Sequence, residues 1–267
     1  MELQSSMMKE RQRRYRKEYR HRVAGWYHGW LHLAIIAISG STALYIYAAN
    51  LRSTQWWEWL ALPLGFMAYQ LTEYLLHAHV MHRPRKNVIF KALYVRHTLM
   101  HHQFFTREEM LFADHRDWRV TFFPPFTMIV LTLLSIVPSL AAGWILSPNF
   151  GWLLMAALTG SYMFYEIVHF SCHVDDNWLI RNTPIINTAR RHHTAHHDHP
   201  LMMEVNMGIG TPIFDWLFGT SDLKRGLWGH IFNGYSTRYL RQDLRKTART
   251  SKLSDSVLNS ASFKHGS

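Results

Sequence analysis

The stretch VTFFPPFTMIVLTLLSIVPSLAAGWILSPNFGWLLMAALTGSYMFY, residues 120–165, runs for 46 positions without Asp, Glu, Lys or Arg. A helix needs about 20 apolar residues to cross a bilayer, so this run fits two crossings better than one. Ser147-Pro148-Asn149-Phe150-Gly151 supplies the turn between them, and Pro124-Pro125 and Pro138 add kinks to the first half. The reading is a transmembrane hairpin with spans at 122–146 and 151–169. A second pair precedes it. Residues 26–49 carry no formal charge, and residues 56–76 carry only Glu58 and Glu73, near the two ends. Trp26, Trp30, Trp56, Trp57 and Trp59 stand at the ends of these spans, where an aromatic belt belongs.

The chain has 267 residues, a net charge of +11 and 19 His. Four crossings place the N-terminus, the 77–119 loop and everything after about 170 on one side, and that side receives 28 of the 29 Lys and Arg; only Arg52 lies opposite. Positive charge marks the cytoplasmic face. The net charge then records topology and attraction to membrane lipid headgroups, and without any nucleic-acid-binding motif no nucleic acid is expected as a partner. One cysteine, Cys172, excludes an intrachain disulfide or a cysteine-built metal cage. The expected architecture is all-α, integral and multi-pass: four transmembrane helices in two hairpins with a cytoplasmic helical cap. Its parts are a basic cytoplasmic arm (1–25) that stays as a signal anchor, a membrane domain (26–232) and a polar tail (233–267), mobile or a short surface helix.

The histidines are grouped on the expected cytoplasmic side. His77, His79 and His82 close the second span; His97, His101 and His102 follow; His169 and His173 close the fourth; His192, His193, His196, His197 and His199 come last. A helix brings i, i+3 and i+4 to one face, so His97/His101, His169/His173 and His193/His196/His197 read as chelating sets. Adjacent histidines diverge by about 100° on a helix, which suits a doublet serving two neighbouring ions. His77 and His82, five apart, do not align on a regular helix; Pro84 suggests a helix end that bends the second ring inward. Asn87 caps a helix through His102, and Thr183-Pro184 opens one that runs to about Asp198. Ten imidazoles fit this dimetal pattern: His77, His82, His97, His101, His102, His169, His173, His193, His196 and His197. That is too many for one ion and suits two of five or six coordination; ligand type alone leaves iron, zinc, copper and nickel open, and the setting at a membrane boundary favours iron.

Glu73-Tyr74-Leu75-Leu76-His77 through His82-Arg83-Pro84, His97-x3-His101-His102, Tyr165-Glu166-x2-His169-x3-His173 and His193-x2-His196-His197 resemble the histidine boxes of the fatty acid hydroxylase/sterol desaturase superfamily. Asn206-x-Gly208-x3-Pro212-x2-Asp215-x-Leu217-Phe218-Gly219-Thr220 is similar to the segment that follows the last box there, so the resemblance covers about residues 70–220. It implies a membrane-bound, non-haem di-iron monooxygenase with its active site facing the cytoplasm, in a bacterial inner membrane or the endoplasmic reticulum. Two Fe2+ ions would use O2 and two electrons to hydroxylate a lipid-like substrate: a fatty acid, a sterol or a related alkyl chain. No cytochrome b5-like domain is fused to the chain, so the electrons come from a separate donor, such as cytochrome b5 or a ferredoxin with its reductase. Three residues separate His97 from the doublet, where many family members have two. His79, His192 and His199 are extra to the pattern and read as surface or supporting imidazoles.

Other readings stay open. The same scaffold serves lipid desaturases and carotenoid-type hydroxylases. A non-catalytic metal-binding or transport protein would carry ionisable ligands near the bilayer midplane, and the middle of the 120–165 run has none. Glu73 and Glu166 stand one turn before His77 and His169, placed either to accept a ligand imidazole's second N–H or simply at the membrane boundary. Asp215 is expected to anchor the cap, Cys172 to pack, and Tyr162, Phe164 and Tyr165 to pack or to line a substrate groove.

Overall fold

The computed structural model describes residues 2–244, so the stretch 245–267 of the expected tail lies outside the described residues. The described residues form helices joined by loops: α1 Glu2–Arg22, α2 Gly29–Ala49, α3 Ala61–Leu76, α4 Val88–Tyr94, α5 His102–Phe104, α6 Thr127–Ile145, α7 Pro148–Ser171, α8 Trp178–Asn182, α9 Pro184–His196, α10 Ile213–Phe218 and α11 Leu227–Ile231. Among the described residues there are no strands beyond two isolated bridges.

Three helices, α2, α6 and α7, are long and apolar enough to cross a membrane. α7 is central: α2, α3 and α6 all pack against it. It is accordingly the most buried of the three, while α6 turns Ile129, Leu133, Leu134, Val137, Leu140 and Trp144 outward, the pattern of a lipid-facing helix. The second expected span differs from its reading. Only 16 of its residues, Ala61–Leu76, form α-helix, about 24 Å of rise against a hydrocarbon core of about 30 Å. A 3-10 turn at Trp56–Leu60 precedes it and a π turn at His77–Met81 extends it.

Local chemistry sets the boundaries. α6 starts at Thr127 rather than 122 because Pro124-Pro125 cannot join its hydrogen-bond ladder. The expected break after Leu146 is a helix cap: Ser147 accepts the Phe150 N–H at 3.1 Å, and Pro148 takes the first helical position. The two loops at this end of the bundle are tied by Glu58, which is 3% exposed. It accepts the Gln55 N–H at 2.6 Å, the Ser147 hydroxyl and the Asn149 amide at 3.0 Å. Helices approach closely where glycine permits. A Cβ on Gly65 would lie 2.5 Å from that of Ala157, and one on Gly151 would lie 2.6 Å from the Ser139 carbonyl oxygen.

At the other end of the bundle the remaining helices form a cap. α1 lays Gln12, Arg16, Tyr19 and Val23 against Phe104, Phe105, Met110 and Val120. The expected tail enters the cap as well, since Leu240 bridges Leu223 and the Arg241 N–H donates to the Asp222 carbonyl at 2.9 Å.

Candidate metal centre

The helical run opened by Asn87, whose side chain accepts the Ile89 and Phe90 N–H groups at 2.9 and 3.2 Å, carries the second box. Its stretch Val95–His101 is π-helical, as is His77–Met81. A π turn aligns residues five apart, and the His82 N–H donates to the His77 carbonyl at 3.2 Å in that pattern. His77 therefore meets His82, and His97 meets His102. This corrects the expected pairing of His97 with His101, and it places His82 through a π turn rather than a bend before Pro84. The third residue between His97 and the doublet is accommodated by the same widened turn.

The imidazoles form two adjoining clusters. His77, His82, His97, His102 and His196 make one, and His101, His173, His193 and His197 make the other; within each, the facing nitrogens lie within 4.8 Å of one another. Both doublets divide between the clusters, as their divergence on a helix requires. The expected His193/His196/His197 set is thereby split, because His196 turns to the first cluster while His193 and His197, one turn apart, stay in the second. His169 stands outside the second cluster's tight group with its Nε2 3.3 Å from that of His101. α9 presents this box from a shorter helix than expected, ending at His196. The Thr183 hydroxyl does not cap it and donates back to the Leu179 carbonyl at 2.7 Å.

Backbone carbonyls orient the rings. The Nδ1–H groups of His173, His196 and His197 donate to the carbonyls of Met110, Val205 and Phe105 at 2.8, 2.9 and 2.9 Å, and that of His77 donates to Met207. A carbonyl only accepts, so each of these rings carries its proton on Nδ1 and turns a bare Nε2 lone pair to the centre. Burial holds the rings neutral. Beside His77 it pushes His82 down to about 2. His97, His101, His102, His173, His193 and His196 are held well below 6.5 by burial and then by one another.

Neighbouring Nε2 atoms lie 2.7 Å apart for His77 and His97, 3.0 Å for His82 and His196, 3.1 Å for His101 and His197 and 3.1 Å for His173 and His193. Converging lone pairs at such distances repel unless a cation lies among them. Two ligands about 2.1 Å from one ion and at right angles stand about 3 Å apart, so this donor set fits a metal in each cluster.

The carboxylates do not serve the imidazoles of the clusters. Glu73 accepts the Ile209 N–H at 3.0 Å, and Glu166 accepts the Tyr162 hydroxyl and the Phe123 N–H at 2.7 and 3.1 Å. Both brace backbone around the site because helix spacing alone aimed neither at a ring nitrogen. Asp215 acts as the expected anchor, accepting from the Met207 and Gly208 N–H groups and the Thr220 hydroxyl, each at 2.7 Å, and from His192 Nε2 at 3.0 Å. It thus fixes the residue whose carbonyl holds His77. His192 is buried and bound there, away from the clusters, whereas His79 and His199 are exposed. Cys172 packs with Val168 and Ala189.

Sequence reasoning missed three supports. The buried Arg191–Asp222 pair, bidentate at 2.7 Å, ties α9 to the following loop. Arg16 donates to the Phe104 carbonyl at 2.7 Å and Arg20 pairs with Asp117 through two bonds of 2.7 Å, so α1 braces the box-bearing helix. Buried Arg16 and Arg191 amid a charge read as topology were the available signal. The third is Arg96, which donates to the Arg119 carbonyl at 2.7 Å and lines a cavity of about 20 Å³. That cavity also meets His97, His101, His169, Tyr165 and Phe123, and it lies where both clusters face α7. Of the three aromatic residues expected to pack or to line a groove, Tyr165 lines this cavity, Tyr162 bonds Glu166 and Phe164 packs beside Val168.

Membrane-length helices joined to a cap that holds two buried histidine clusters able to bind metal define a class, that of helical membrane proteins with a histidine-rich metal-binding centre. The model of the fatty acid hydroxylase family matches residues 62–220, more than half of the chain, and the chain belongs to that family. It is also similar, at 18% identity and a TM-score of 0.49, to a solved structure described as full-length Scs7p with only the hydroxylase domain visible. The match covers 73% of this chain and 66% of that one, just under two thirds of its length. No curated protein matches the chain.

Proposed function

We propose that the chain is a four-crossing membrane enzyme, its centre facing the cytoplasm, that hydroxylates a lipid-like alkyl chain at a di-iron site. The observation that carries the reading is the pair of adjoining clusters of buried, neutral imidazoles whose bare Nε2 atoms converge, beside apolar helices, in a chain of the fatty acid hydroxylase family. α3, extended by its 3-10 and π turns, would be the fourth crossing. The overall reaction is RH + O2 + 2 electrons + 2 H+ → ROH + H2O, and a separate donor protein supplies the electrons.

His77, His82, His97, His102 and His196 would hold one iron; His101, His173, His193 and His197, with His169 beside them, the other. Bound iron supplies the two-electron chemistry with O2 that places oxygen in an unactivated C–H bond. The protein keeps the rings deprotonated through burial and keeps them aimed through the four Nδ1–carbonyl bonds. Met81, Leu93, Val120 and Phe123 give the small cavity beside the clusters an apolar wall that excludes water from the reacting carbon.

The test compares lipid profiles of cells expressing the active protein and its His196→Ala variant. A lipid heavier by one oxygen atom only with the active protein identifies the reaction and the substrate together. Profiles that do not differ, with both proteins inserted in the membrane, would overturn the reading; a product lighter by two hydrogens would replace it with desaturation.

A further inference from the structure

A cavity of about 960 Å³ opens on the cap between α10, the turn before α11 and residues 238–243. It belongs neither to the histidine clusters nor to the small cavity beside them. Four cations line it: Lys224, Arg225, Arg238 and Arg241. Two carboxylates share the lining, and both are engaged. Asp215 spends its oxygens inward on Met207, Gly208, Thr220 and His192, and Asp243 pairs with Arg241 at 2.7 Å. Lys224 is exposed and has no acidic partner among the described residues, and Arg225 lies 4.1 Å over the Tyr239 ring with its Nη1 bonded to Asn233 at 3.0 Å. The cavity therefore carries a net positive charge.

His230 also lines it. The ring is 2% exposed, its Nδ1–H donates to the Gly226 carbonyl at 3.1 Å, and its Nε2 is buried without a partner. That nitrogen is closed to solvent, so the ring shapes the wall of the cavity rather than meeting a ligand.

The flank of the cavity is apolar. Trp216, Leu217 and Phe218 on α10, with Trp228 on α11 and Phe232 just after it, are exposed. Phe218 packs 5.1 Å from the ring of Tyr74, near the cap end of α3, so this face stands where the membrane helices meet the cap. Exposed tryptophans beside cations are the composition of a bilayer surface contact.

We propose that α10, α11 and this cavity bind the headgroup of an anionic phospholipid. The phosphate meets Lys224 and Arg225, and the aromatic residues of the two short helices enter the interface. The site is separate from the one that processes substrate.

The test uses the full chain in nanodiscs of phosphatidylcholine doped with phosphatidylglycerol, with retained lipid counted by native mass spectrometry. Wild type is expected to keep phosphatidylglycerol and release phosphatidylcholine. Lys224→Gln/Arg225→Gln is expected to lower retention by about thirtyfold, from the usual contribution of two basic residues near an anionic surface. Arg83→Gln/Lys86→Gln, exposed elsewhere on the cap, should leave it unchanged. Unchanged metal content shows that each variant is folded, and the exposed Lys224→Gln alone serves if the double variant is not. Equal retention of both lipids, or equal retention by wild type and the Lys224/Arg225 variant, overturns the proposal whether or not the enzyme hydroxylates lipid.

Discussion

Asp215 takes four donors on two oxygens at 0% exposure, so an amide in its place would face two of them with an NH2 group. Asp215→Asn is expected to cost about 2–4 kcal/mol, read as a lowered melting temperature, and to reduce metal content because the Met207 carbonyl no longer stays under His77. Single-histidine variants should separate by cluster. His97→Ala and His193→Ala are each expected to lose about one metal ion per chain, while the exposed His79→Ala and His199→Ala keep full content, as measured by elemental analysis. The rings also carry a pH signature. Their pKa values lie below 6.5 in the fold, so an unfolded chain takes up protons that the folded one refuses as pH falls. Metal-free protein is expected to keep its stability above pH 6.5 and to lose it progressively from there to about 2, in an acid-denaturation series. The ten expected ligand candidates crowd into four short strings, and nine of them meet in the two clusters with His169 beside the second. Their partners were not legible, since the carbonyls of Met110, Val205 and Phe105 have no side-chain signature, and Glu73 and Glu166 had an equally good spacing for a bond that they do not make.

At the scale of elements, apolar length and capping chemistry located most of the helices, Ser147-Pro148 and Asn87 among them. The two π turns were not legible. Ordinary helical periodicity pairs His97 with His101, and only the i to i+5 bond at His77–His82 shows that five-residue spacing is the working one. The docking of α1 was equally hidden, because its basic residues read as a solvated face until Arg16 and Arg20 are seen to reach Phe104 and Asp117. Arg16→Ala is expected to destabilise the protein by about 1–3 kcal/mol and to loosen the second box, seen as faster amide exchange over residues 97–105. Gly151→Leu would drive a side chain into the Ser139 carbonyl and is expected to cost at least about 1–3 kcal/mol, read as a lower melting temperature in detergent.

For the molecule as a whole, hydropathy located three helices long and apolar enough to cross a membrane, and the histidines marked the end of the bundle where the clusters form. The short α-helical core of α3 shows where hydropathy alone overreaches: its apolar run is long, yet 3-10 and π geometry take both ends. The π end delivers His77 and His82 to the centre, so the departure from regular helix serves the site. The central claim is that the two clusters each hold an ion of one di-iron centre. Anomalous diffraction at the iron edge from crystals of the iron-loaded protein tests it most directly. The account predicts two peaks, one among His77, His82, His97, His102 and His196 and one among His101, His173, His193 and His197; a single peak, or peaks outside these rings, would contradict it.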